Sequence, residues 1–190
     1  MFPVLCFGQT AEDYLNSGRE KHNLKHYNGA IIDFNKAIEL KPEDAIGYMN
    51  RGIAKSYLKD YNKAILDFTK AIELDPDEAY AYFNRAVSKT KLKDYYGAIA
   101  DFTKAIELDP DFAACYYNRG NSKDDLKDYL GAIADYTKAI ELNPDYTIAY
   151  VNRGNSKDNL KDYYGAIADY TKAIELNPDY TIAYVNRAID

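Results

Sequence analysis

Asparagine recurs at Asn16, Asn50, Asn84, Asn118, Asn152 and Asn186, each 34 residues after the last. An amide side chain carries a donor and an acceptor, so a row of them can pair with a peptide backbone whatever that peptide's side chains are. Asn is also a poor helix former, and it has no evident packing duty at this place. The chemistry on offer is reversible recognition. The alternative is a water-facing column that was copied whenever the unit around it was copied.

Groups that make or break bonds are missing in any recognisable pattern. There is no serine-centred elbow and no glycine loop built to cradle phosphate. His22 and His26 stand four apart, a spacing that holds a metal on a continuous helix. The first helix is expected to end near Leu24, which leaves both as surface histidines. Cys6 and Cys115 are too few and too distant for a disulfide framework or a CxxC site. Cys115 is expected to be a small buried apolar residue. No enzyme activity, metal or other cofactor is expected.

Composition narrows the partners. The formal charge of −6 and pI near 5.0 argue against a surface that coats nucleic acid. At 47% apolar the chain can build a core, yet no apolar run approaches a membrane span. Residues 1–10, MFPVLCFGQT, match nothing later. They read as an N-terminal tail or as the end of a signal peptide, so a soluble protein, cytoplasmic or exported, is expected.

The spacing also defines the elements. Five prolines fall at 42, 76, 110, 144 and 178, and residues 131–153 are repeated without change at 165–187. Units therefore run 11–44, 45–78, 79–112, 113–146 and 147–180, with a truncated sixth at 181–190. Within a unit, Tyr at position 4, Gly or Ala at 8 and Leu at 14 predict an amphipathic helix A. Ala at 20, Phe or Tyr at 24 and Ala at 27 predict a second, more deeply buried helix B. The break between them is LKDY, whose aspartates Asp60, Asp94, Asp128 and Asp162 are placed to cap helix B. DPD or NPD ends it. Asp at 23, Lys at 26 and Glu at 29 read as an exposed helix face.

A period of 34 with these columns resembles the tetratricopeptide repeat (TPR) family over residues 11–190. The resemblance implies an all-α, right-handed α-solenoid of antiparallel helix pairs, with helix A lining a concave groove. Each unit would bury its apolar face only against its neighbours. Two columns depart from the family's pattern. Position 7 is Arg51, Arg85, Arg119, Arg153 and Arg187 (Ser17 in the first unit), and position 11 is Lys from Lys21 to Lys157. The arginines either pair with nearby acids, the preferred reading, or rim the groove.

In the resemblance the asparagine row faces the groove, so the implied function is a non-catalytic scaffold that binds a peptide or protein segment. Hydrogen bonds contribute about 0.5–1.5 kcal/mol each, so apolar anchors are needed as well. Positions 5 and 9 supply the candidates: Met49, Ile53, Phe83, Val87, Tyr117, Asn121, Val151 and Asn155. The first half of this face is apolar. Further along, Asn121 and Asn155 join Asp124, Asp125 and Asp158, an acidic end that suits a basic ligand segment. The family's carboxylate clamp is not expected, because Leu15, Tyr80 and Asn84 stand where its cations or amides would be. Self-association by end-to-end stacking, or membership of a longer array, is the competing reading.

Overall fold

The computed structural model describes residues 9–179, and among them there are ten helices and no strand. The A helices are α1 (Ala11–Asn23), α3 (Ala45–Tyr57), α5 (Ala79–Lys91), α7 (Ala113–Asp125) and α9 (Thr147–Asn159). The B helices are α2 (Tyr27–Leu40), α4 (Tyr61–Leu74), α6 (Tyr95–Leu108), α8 (Tyr129–Leu142) and α10 (Tyr163–Leu176). The chain forms two compact units that meet in sequence within α5, after Ser88. In the first, α1 to α4 pack consecutively, and α1 also touches α3. In the second, α6 to α10 do the same, and α7 touches α9. This is the solenoid-like stacking of helix pairs that the family resemblance implies.

The core is built from the small–ring–small pattern of helix B. Ala64, Phe68 and Ala71 are buried, as are Ala132, Tyr136 and Ala139. Glycine at position 8 of helix A lets the ring lie flat against backbone. A Cβ on Gly52 would stand 2.7 Å from the Phe68 ring, and one on Gly120 2.7 Å from Tyr136. Leu at position 14 does not join this core. It is the C-cap of helix A, and Leu24, Leu58, Leu92 and Leu160 are exposed.

Helix boundaries follow local chemistry. Thr10, read above as part of a tail, is the N-cap of α1, and it forms a reciprocal capping box with Asp13. Asp94, Asp128 and Asp162 cap their helices by accepting from the N–H of Gly97, Gly131 and Gly165. Glycine leaves room for this bond, because an added Cβ would crowd the capping carboxylate and turn it away. Where Lys63 replaces the glycine, Asp60 makes no cap bond and pairs with the Lys63 ammonium at 2.8 Å. Each helix A closes through a lysine in the left-handed region: Lys25, Lys59, Lys93, Lys127 and Lys161 all have φ of 62–64°. The following N–H then reaches back five residues, as in Asp60 to the Lys55 carbonyl at 3.0 Å.

Candidate functional site

The arginine column is consumed by structure. Arg119 Nε and Nη2 donate to both carboxylate oxygens of Asp135 at 2.9 and 2.7 Å, and Lys123 Nζ lies 2.8 Å from the same group. Arg153, Lys157 and Asp169 repeat this arrangement, as do Arg51, Lys55 and Asp67. The aspartates are buried, with Asp135 at 4% exposure. The expectation that position 23 lies on a solvated face is therefore corrected. Only the Lys and Glu of that trio are outside, paired as in Lys138–Glu141. Arg51, Arg85, Arg119 and Arg153 also stack on the tyrosine three residues before each, Arg119 on Tyr116 at 5.6 Å, while Arg187 lies outside the described residues. In the first repeat Ser17 takes the arginine's place and donates to Asp33 at 2.6 Å.

The asparagine row is more engaged than a row of idle amides. Asn50, Asn84 and Asn118 each donate one N–H to the carbonyl four residues back, at 2.9, 2.7 and 2.8 Å. Each thereby spends one of its two N–H groups on its own helix. Asn16 is exposed and receives a long 3.5 Å contact from Arg19. Asn152 donates to the Tyr117 hydroxyl and to Asn121 Oδ1 at 3.1 and 2.9 Å. Asn186 lies outside the described residues.

Three cavities open on the A helices. In the first compact unit one of about 290 Å³ is lined by Met49, Asn50, Ile53 and Asn84, with Ile46, Tyr80 and Arg19. A neighbour of about 310 Å³ shares Arg19, Asn50 and Ile53 and adds His22 and Phe34. In the second unit Asn121, Asn152 and Asn155 line a polar cavity of about 250 Å³ with Asp124, Asp125 and Tyr136. Asn16, Asn118, Phe83 and Val87 line none of the three. Val151 is 2% exposed and packs in the core with Tyr150 and Tyr170, so it is not an anchor. Tyr117 packs against the same core, its ring tilted and 4.9 Å from that of Tyr146. The side chain at 151 is enclosed by a cluster rich in tyrosine, with Tyr117 and Tyr146 packed against it.

Asn121 and Asn155 carry a duty that single-column reading missed. Tyr136 is buried to 1%, and its hydroxyl donates to Asn121 Oδ1 at 2.8 Å. The Tyr170 hydroxyl donates likewise to Asn155 at 2.9 Å. The signal was in the sequence. Repeats with Phe34, Phe68 and Phe102 have Arg19, Ile53 and Val87 at position 9, and Asn appears there only where the ring is tyrosine. Asn121→Ala is expected to destabilise by about 1–3 kcal/mol, because a buried hydroxyl loses its acceptor. Adding Tyr136→Phe should recover most of that in urea unfolding. Costs that simply add would refute the pairing.

The remaining reactive groups are quiet. Cys115 is fully buried, and burial pushes its thiol up to about 12. His22 sits edge-on to Tyr27 and Tyr57, and partial burial lowers its pKa. Among the described residues no cluster of His, Cys, Asp and Glu is arranged to hold a metal, and no helix is long and apolar enough to cross a membrane.

A sequence model described as tetratricopeptide repeat matches residues 45–78, 79–112, 113–146 and 147–180, and a second of the same description matches 12–44. No curated protein matches the chain significantly. Solved structures share its fold. That of MamA (41-end) from Desulfovibrio magneticus RS-1 is 23% identical with TM-score 0.85, covering 91% of this chain and 98% of that one. YrrB, described as a TPR protein with an unusual peptide-binding site, is 20% identical with TM-score 0.80, covering 94% and 92%. Pseudomonas aeruginosa pilF is 17% identical with TM-score 0.82, covering 93% and 80%.

Proposed function

Because the chain belongs to the tetratricopeptide repeat family, we propose that it is a non-catalytic scaffold holding a peptide or protein segment on its A-helix face. The observation that carries this reading is the shared lining of one cavity by Asn50, Asn84, Met49 and Ile53. Amide groups from two successive A helices border an apolar floor. An extended segment advances about 3.3 Å per residue, so its backbone groups can meet both amides while its side chains cover Met49 and Ile53. The half-buried, aspartate-paired arginines and the core tyrosines contribute the rigid frame and do not contact the segment.

The test is capture of partners from a cell extract with wild-type protein beside an Asn50→Ala, Asn84→Ala variant. Two lost hydrogen bonds of about 1 kcal/mol each give a roughly thirtyfold loss of affinity. Alanine is the better helix former, so the melting temperature should hold. A variant that retains both its melting temperature and every partner refutes the amide row as a binding device.

A further inference from the structure

The two cavities of the first compact unit form one groove of ordered polarity. They have Arg19, Asn50 and Ile53 in common, so Arg19 stands where they join. Asp75 and Glu78 line only the first cavity, in the turn that leads into α5. Ile46, Met49 and Tyr80 line the first cavity together with both poles; Ile46 is 47% and Tyr80 57% exposed.

Arg19 differs from the other arginines in what it touches. Arg51, Arg119 and Arg153 each bind an aspartate of helix B. Arg19 is at position 9, and among the described residues its contact is the 3.5 Å one to the neutral Asn16. No carboxylate lies within ion-pair distance of it among those residues. At the other pole, Glu78 accepts from the Tyr80 N–H at 3.0 Å and Asp75 from the Asp77 N–H at 3.3 Å. Each of these carboxylates can accept further hydrogen bonds.

We infer that this groove selects a segment that reads basic, apolar, acidic along its length, with an internal Asp or Glu side chain on Arg19. The inference rests on the groove reading above and adds charge order to it. Apolar side chains cover Ile46 and Met49, while a Lys or Arg of the segment meets Asp75 and Glu78. The planar fork of arginine suits a carboxylate in two-point contact, and an apolar wall beside it strengthens the pair.

The probes are fluorescein-labelled ten-residue peptides with a Lys-Leu-Leu-Glu centre, amidated at the C-terminus, read by anisotropy on the full chain. Wild type should bind this peptide about tenfold more tightly than its Glu→Lys counterpart. Arg19→Glu should invert that preference. Arg19 is exposed, so an unchanged melting temperature will show that the variant is folded. A preference that Arg19→Glu leaves intact overturns the inference, as does binding that needs a free C-terminal carboxylate. If uncharged apolar peptides bind equally well and Asn50→Ala, Asn84→Ala weakens them, charge order fails while the groove reading survives. If the amide variant also binds every peptide as wild type does, both readings fail.

Discussion

Asp135→Ala is expected to destabilise the protein by about 3 kcal/mol. The substitution strands Arg119 and Lys123, whose side chains are only 15% and 21% exposed. Breaking a buried ion pair from one side costs about 3–5 kcal/mol, because the remaining charge keeps its desolvation penalty without its partner. The lysine's residual access to water places this site at the lower end. The same logic predicts a rescue. Replacing Arg119 and Lys123 with Met in the Asp135→Ala background removes the stranded charges and should restore most of the loss. Urea unfolding of the single and triple variants measures both. A single substitution costing under about 0.5 kcal/mol would mean that water solvates the two cations freely.

Phe68→Ala should cost about 3–5 kcal/mol, because the ring is fully buried and the alanines around it cannot collapse into the space. A sharper result concerns Gly52, whose added Cβ would meet that ring at 2.7 Å. Alanine in mid-helix gains about 0.5–1 kcal/mol over glycine. In the wild type this gain is offset by crowding against Phe68. In the Phe68→Ala background the crowding is gone, so Gly52→Ala should stabilise by about 1 kcal/mol. Thermal unfolding of the four proteins gives the cycle. The same response to Gly52→Ala in both backgrounds would show that the glycine serves something other than the ring.

The helices were legible because each column repeats its own physics. Ala30, Ala64, Ala98, Ala132 and Ala166 are all fully buried, as a small residue beside a ring requires. The charged columns were not legible one at a time. Asp, Lys and Glu three apart give the same pattern whether the aspartate faces water or the neighbouring helix. Paired columns did hold the answer. Arg at position 7 recurs with Asp at position 23 of its own repeat and with a hydroxyl or amide at position 25 of the repeat before, as Arg51 does with Asp67 and Asn35. The candidate residues of the A helices divide in the structure. Met49, Ile53, Asn50 and Asn84 do share a cavity, whereas Val151 and Tyr117 turn toward the core. Position 5 lies at the border of the buried stripe. Its side depends on neighbouring bulk, which no spacing rule encodes.

The arginines also bridge successive repeats. Arg119 Nη1 donates to the Thr103 hydroxyl at 3.0 Å, and Arg153 to that of Thr137 at 3.0 Å, each on helix B of the repeat before. One guanidinium thus fastens its own pair of helices and hooks the preceding one. A whole unit spliced in beside another brings a hook for the threonine behind it and a threonine for the hook ahead. Lengthening such an array by gene duplication needs no compensating change, whereas gaining or losing any part of a unit would leave a charge with nothing to hold.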